Sequence, residues 1–298
     1  MKPAPFAYHR PTSVEEALAI LGAHGSDARP LAGGQSLIPA MNFRLARPAV
    51  LVDLNRIGEL DFVRAEGAGG VRCGAMTRQR TAERHADMIR GAGLLAEALP
   101  HVAHAQIRNR GTLGGSVAHA DPSAEIPAVL LALGASFVVR GPAGVRSVPA
   151  ERFFVGLFQT ALAPGELLVE IACPALAPRS GWGFAEVARR HGDYALAGAA
   201  AVVTLDDRGR CRDVRVALLG VGEGPVFATR AAKTLSGEVP SAAAIRAAAQ
   251  AVAAKDIDPP SDIHASAAYR RQLAGVVTRR ALATACERAT ARAEPAGR

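Results

Sequence analysis

The sequence predicts a globular protein of two domains built from both helices and strands, and three observations lead there. At roughly 150 residues per domain, 298 residues give two units with room for a large core. A composition of 49% hydrophobic and 21% charged residues is that of a globular chain and excludes one disordered throughout. The third observation is a change of pattern at Cys173-Pro174-Ala175-Leu176-Ala177-Pro178-Arg179-Ser180-Gly181, a stretch with the composition of a boundary. Before it strands and helices alternate; after it long apolar runs are joined by a hairpin turn, so a second domain is expected from about 178.

Taken in order, Ser13 followed by Glu16 has the form of a capping box, and Val14, Leu18 and Leu21 then share a helical face, which predicts a helix from about residue 14. A short apolar run ending in Leu31 and Ala32 meets Gly33-Gly34-Gln35-Ser36, and Leu37 to Met41 reads as helical: strand, glycine loop, helix. Ala49 to Leu54 and Gly70 to Gly74 read as strands. Residues 93 to 103 read as helix, and Ile107 to Ser116 as a second glycine loop, polar and flexible. Pro122-Ser123 opens a predicted helix through Ile126, Val129, Leu130 and Leu133, followed by strands at Ser136 to Arg140 and Leu167 to Ala172. Beyond the boundary, Gly198 to Leu205 and Val214 to Val221 read as antiparallel strands around the turn Asp206-Asp207-Arg208-Gly209. Helices are expected over Ser241 to Ala254 and from about His264 to Ala289.

Several function classes drop out. No run approaches the ~20 apolar residues of a membrane span, and the start at Met1 lacks the apolar stretch of a secretory signal, so the expected location is cytoplasmic. Cys73, Cys173, Cys211 and Cys286 lie far apart, without the close pairs of zinc or iron–sulfur ligation. The net charge of +8 comes with scattered arginines and 4% aromatics, which points away from nucleic acid and towards anionic ligands, acidic partners or a solvated basic surface. No G-x-G-x-x-G follows a first strand and no P-loop is present. His101 and His104 lack a third ligand, and capping or surface roles fit them better. Ser36, Ser116 and Ser123 lack a nucleophile elbow. Asp121 and Glu125, an i, i+4 pair, would serve as an acid/base dyad, as ribose ligands or as helix caps, and ribose is favoured for Glu125. No catalytic residue and no metal ligand is assigned.

The two Gly-Gly loops carry the most information. Glycine lets the backbone approach a phosphate and adopt positive φ, so that successive N–H groups converge on an anion. Two such loops suggest a diphosphate cradle, to which Ser36, Thr112 and Ser116 add donors; either loop alone is equally an ordinary tight turn. A β-branched side chain at Gly34 or Gly114 is expected to block the phosphate without unfolding the chain.

Three motifs together resemble a known family. Ala32-Gly33-Gly34-Gln35-Ser36, Asn109 to Ser116 followed by Asp121-Pro122, and Arg189-Arg190-His191-Gly192-Asp193-Tyr194-Ala195-Leu196 are similar to signatures of the FAD-binding medium subunit of molybdenum hydroxylases, the carbon monoxide dehydrogenase and xanthine dehydrogenase family. The likeness spans nearly the whole chain. It implies that Ala32, Gly33, Gly34, Gln35 and Ser36, with Gly111, Thr112, Leu113, Gly114 and Gly115, bind the FAD diphosphate. It also implies that Glu125, where relatives usually have Asp, contacts the adenosine ribose, and that Tyr194 lies near the flavin ring.

The same resemblance implies an α+β fold: a vanillyl-alcohol-oxidase (PCMH)-type FAD domain at 1–177, in two α+β subdomains of about 1–53 and 54–177. The remainder, 178–298, would be a carbon monoxide dehydrogenase flavoprotein-type domain of antiparallel sheet and helices. A molybdenum-containing large subunit would oxidise substrate, and a small subunit with [2Fe-2S] clusters would carry electrons. This chain's FAD would deliver them to an external acceptor, in a dimer of heterotrimers. The alternatives are a self-contained FAD oxidoreductase with its own substrate, and a nucleotide-binding regulatory module without redox turnover.

Overall fold

The structure is a computed structural model and describes residues 1–293. It opens with β1 (Ala7–His9), α1 (Val14–His24), β2 (Ala28–Leu31), α2 (Leu37–Asn42) and β3 (Val50–Asp53). β3 is central in a parallel sheet of order β1-β3-β2. All four of its residues are buried, as expected of a strand flanked on both sides. Ser13 Oγ caps α1 by accepting from the Glu16 amide at 3.2 Å. The Glu16 carboxylate returns to the Thr12 amide at 2.8 Å, one residue before the position a regular capping box uses. Val14, Ala17 and Leu21 turn inwards against Val50 and Val52.

An antiparallel sheet of order β4-β5-β10-β6-β7 follows. Its early strands are β4 (Val63–Glu66) and β5 (Gly70–Gly74), after which the chain makes six helices: α3 (Gln79–Arg84), α4 (Ala86–Gly91), α5 (Gly93–Ala98), α6 (Ala105–Arg108), α7 (Leu113–His119) and α8 (Glu125–Leu133). β6 (Ser136–Gly141), β7 (Gly144–Pro149), α9 (Ala150–Phe153), the hairpin β8 (Phe154–Gly156) with β9 (Gln159–Thr160), and β10 (Leu167–Cys173) complete it. Two expectations are corrected here. The segment holding Gly111 to Gly115 is not a flexible loop: it lies between α6 and α7, and Gly114 and Gly115 are in the first turn of α7. The helix expected from Pro122 starts instead at Glu125, because Asp121 Oδ1 takes the Ser123 amide at 2.8 Å and holds a turn there.

The third sheet is antiparallel, in the order β11 (Ser180–Ala188), β12 (Ala195–Leu205), β13 (Cys211–Leu219), β14 (Val226–Phe227). β11 was not legible, since Gly181, Trp182 and Gly183 break any alternation; Trp182 and Arg292 instead form a cation–π contact with 4.2 Å from guanidinium to ring centre. α10 (Thr229–Leu235), α11 (Ala242–Ala251), a π-helical turn at Val252–Asp256 and α12 (Ala267–Ala293) cover one face of this sheet. α8 covers the other, and all nine of its residues are buried because it also packs on α5. With both faces covered, all eleven residues of β12 are buried. No helix among the described residues is long and apolar enough to cross a membrane.

Candidate functional site

The first glycine loop connects the end of β2 to the start of α2. Gly34 has φ +73°, a left-handed conformation that glycine adopts without strain. The Gln35 side chain folds back, its Nε2 donating to the Gly33 carbonyl at 3.0 Å, and so stiffens the loop it belongs to. None of the four consecutive amides of Gly33, Gly34, Gln35 and Ser36 donates to a protein acceptor among the described residues. The loop is half-buried, and Ser36 at its end is exposed. Four adjacent free donors at one turn form a nest suited to an anion.

The second loop is built differently. Thr112 is the N-cap of α7, its Oγ1 accepting from the Gly115 amide at 3.0 Å. The Leu113 amide donates to the Thr77 carbonyl at 3.0 Å, that of Gly114 to Ala75 at 2.9 Å, and that of Ser116 to Thr112 at 3.3 Å. Among the described residues only the Thr112 amide in this stretch lacks a protein acceptor. Gly114 serves packing: a Cβ there would lie 2.5 Å from the Ala75 Cβ and 2.6 Å from the Ala75 carbonyl oxygen. The expectation that Gly114→Val leaves the fold intact is therefore corrected, since the side chain would strike buried backbone.

The two loops touch. A Cβ on Gly33 would come within 2.4 Å of the Arg110 carbonyl oxygen and 2.7 Å of Gly111 Cα. Three residues that sequence reasoning missed hold this contact. Asn55, just beyond β3, donates through Nδ2 to the Ala32 carbonyl at 3.0 Å. Arg78 donates through Nη2 to Asn55 Oδ1 at 2.5 Å and through Nη1 to the Arg110 carbonyl. Burial, and Arg110 nearby, lower the pKa of Arg78 below its usual value. Asp53, at the end of β3, accepts from the Asn55 amide at 2.9 Å and from the Tyr8 hydroxyl. Burial opposes ionisation of Asp53, but these hydrogen bonds prevail and its carboxyl lies below the ordinary range. The available signal was Asp53 and Asn55 at the carboxyl end of a parallel strand, where α/β sheets place ligands; Arg78 gives no such signal.

Glu125 and Tyr194 lie near enough to one another for the charge of Glu125 to act on the Tyr194 hydroxyl. Glu125 is the first residue of α8 and 6% exposed. Burial first, then the charge of Glu186, pushes its carboxyl up to about 8. Asp121 lies outside the helix, so the two carboxylates do not share a helical face. Tyr194 is on the turn between β11 and β12 and is 66% exposed, which removes a role in core packing. That turn is set against Ala103, because a Cβ on Gly192 would lie 2.6 Å from the Ala103 carbonyl oxygen. Arg108 holds the same stretch, donating to Glu83 at 3.0 Å and to the Val102 carbonyl at 2.9 Å. His101 pairs with Glu186 at 3.2 Å, and His104 precedes α6; no cluster able to hold a metal occurs among the described residues.

The geometry fits a dinucleotide carrying a diphosphate: a nest of free amides, glycine backbone at its wall and an acidic residue on a neighbouring helix. Residues 4–176 match the family described as FAD binding domain in molybdopterin dehydrogenase, and residues 182–285 match the CO dehydrogenase flavoprotein C-terminal domain. The 6-hydroxypseudooxynicotine dehydrogenase complex subunit alpha of Paenarthrobacter nicotinovorans is 43% identical over 97% of each chain. Caffeine dehydrogenase subunit beta of a Pseudomonas species is also 43% identical over 97% of each. A chain of the carbon monoxide dehydrogenase of Hydrogenophaga pseudoflava, of known structure, superposes with a TM-score of 0.93 at 42% identity, covering 97% of this chain and 99% of that one. The chain thus belongs to the family of FAD-binding domains of molybdopterin dehydrogenases, joined to a CO dehydrogenase flavoprotein C-terminal domain.

Proposed function

We propose that the chain is the FAD-binding electron-transfer subunit of a heteromeric molybdenum hydroxylase, passing electrons from a partner's [2Fe-2S] clusters to an external acceptor. The observation that carries this reading is the run of four free amides from Gly33 to Ser36, locked against the Arg110–Gly111 backbone. Bound FAD supplies two-electron redox chemistry with one-electron steps available. Ala32 to Ser36 hold the diphosphate, while Gly111, Thr112, Leu113, Gly114 and Gly115 form the wall that sets this loop, with the Thr112 amide open. Glu125 binds the adenosine ribose and Tyr194 shields the flavin ring. Asn55 and Arg78 orient the loop.

The chain divides into an FAD domain at 1–177, with subdomains of about 1–53 and 54–177, and a C-terminal domain at 178–298. The family matches at 4–176 and 182–285 support that division. Similar identity to subunits of complexes named for a nicotine derivative and for caffeine supports a shared electron-transfer part, with substrate choice elsewhere. The partners are a molybdenum-containing large subunit and a [2Fe-2S] small subunit, in a dimer of heterotrimers. Four free, buried thiols fit a reducing cytoplasm. Native purification tests the assignment: flavin, molybdenum and iron co-eluting in one complex is the expected result. A lone flavoprotein turning over a small molecule would establish the self-contained oxidoreductase instead.

A further inference from the structure

Two buried carboxylates, Glu125 at the start of α8 and Glu186 on β11, lie within a group of titratable side chains. Glu186 on β11 has a side chain 6% exposed. One of its oxygens is 3.2 Å from His101 Nδ1, and the other, Oε2, is buried with no hydrogen-bond partner among the described residues. The charges of Glu186 on β11 and of Asp121 in the turn before α8 favour the proton on Glu125, that of His101 in the turn after α5 opposes it, and the charge of Glu125 acts in turn on Tyr194 in the β11–β12 turn. His101 is faced in addition by Glu97, and its ring centre is 6.2 Å from that of His191. The hydrogen bond to Glu186 holds His101 above its usual pKa. His101 pairs with Glu186, so among the described residues Glu125 has no cationic partner of its own, and its burial favours the protonated form.

We propose that Glu125 meets the ribose of FAD as a neutral acid, because its side chain is buried at the start of α8 and the nearby buried carboxylate of Glu186 already takes His101 as its partner. The proposal rests on the assignment of Glu125 to the ribose. A neutral carboxyl donates one hydrogen bond and accepts others, whereas a carboxylate only accepts. It therefore pairs with a ribose hydroxyl in either sense and adds no negative charge beside the diphosphate. Glu186 is a positioning residue that acts through Glu125, where its charge favours the proton and the charge of His101 opposes it. The linkage has a definite sign, because the bound state holds a proton that free protein loses as pH rises, so FAD binding weakens above the titration of Glu125.

The test is an FAD titration of cofactor-stripped protein, read by flavin fluorescence, from about pH 6 to about pH 9, where affinity should be flat at first and then fall by up to about tenfold per pH unit. Glu125→Gln, a neutral mimic, should keep the affinity that wild type shows at low pH and lose the pH dependence. Glu186→Gln should move the break to lower pH, and it keeps the proposal testable if Glu125→Gln folds poorly. Affinity rising with pH, or Glu125→Gln weak at every pH, would show that the carboxylate is the binding form and overturn the proposal. Glu125→Ala with wild-type affinity and pH profile would overturn the ribose assignment itself, and absence of FAD binding in wild type at every pH would overturn the functional reading.

Discussion

Gly33 lies against Arg110 so closely that a Cβ placed on it would be 2.4 Å from the Arg110 carbonyl oxygen. The obstacle is backbone, so no rotamer change relieves it. Two loops distant in sequence are thereby brought to one spacing, and Asn55 and Arg78 hold them there through the Ala32 and Arg110 carbonyls.

Gly33→Ala forces the loops apart. Overpacking of this kind costs about 1–3 kcal/mol, so a melting temperature several degrees lower is expected. FAD affinity, measured by fluorescence titration, should fall at least about tenfold, or about 1.4 kcal/mol.

Arg78→Lys keeps the charge but loses the fork that serves Asn55 and Arg110 together. FAD affinity should fall by about tenfold, close to the loss in Arg78→Ala, with little change in salt dependence. Full rescue by lysine would show that Arg78 acts as a point charge on the diphosphate.

Gly114→Val should unfold the region around Ala75 before any question of cofactor binding arises. A drop in stability of about 3 kcal/mol or more is expected by chemical denaturation of the cofactor-free protein. Ala75→Gly in the same chain should recover only part of it, because the Ala75 carbonyl oxygen, 2.6 Å from the added Cβ, remains.

Glu125 also ties stability to pH in the cofactor-free protein. Its folded pKa, about 8, lies above the unfolded value, so the folded state binds the extra proton and stability falls as pH rises from the unfolded pKa towards about 8. The slope is at most about 1.4 kcal/mol per pH unit. Thermal denaturation of Glu125→Gln should show a higher melting temperature than wild type near the top of that window, and a converging one at its acid end.

Tyr194 is exposed, so Tyr194→Ala should cost no more than about 0.5 kcal/mol in stability. On the flavin reading the bound FAD's spectrum or reoxidation rate should change in Tyr194→Ala and hardly at all in Tyr194→Phe. A large fall in melting temperature with an unaltered flavin would remove Tyr194 from the site.

The sequence made the periodic elements legible: the Ser13-capped helix, the buried strand at Val50–Asp53 and the hairpin around Asp206–Gly209 all follow from local chemistry. β11 was hidden because its glycines answer to neighbours remote in sequence. The unequal use of the two Gly-Gly pairs was hidden for the same reason. Only the fold shows that the Gly114 amide is spent on Ala75 while those of Gly33 to Ser36 stay free. Arg78 became a site residue by reaching across two connections, which no spacing rule encodes.

Amide hydrogen exchange with and without FAD tests the central claim most directly. On saturation with FAD, the amides of Gly33 to Ser36 should become strongly protected, while those of Leu113 to Ser116, already bonded within the protein, should change far less. Exchange at Gly33 to Ser36 unaltered by saturating FAD would contradict the account, because the nest of free amides would then not be where the diphosphate binds.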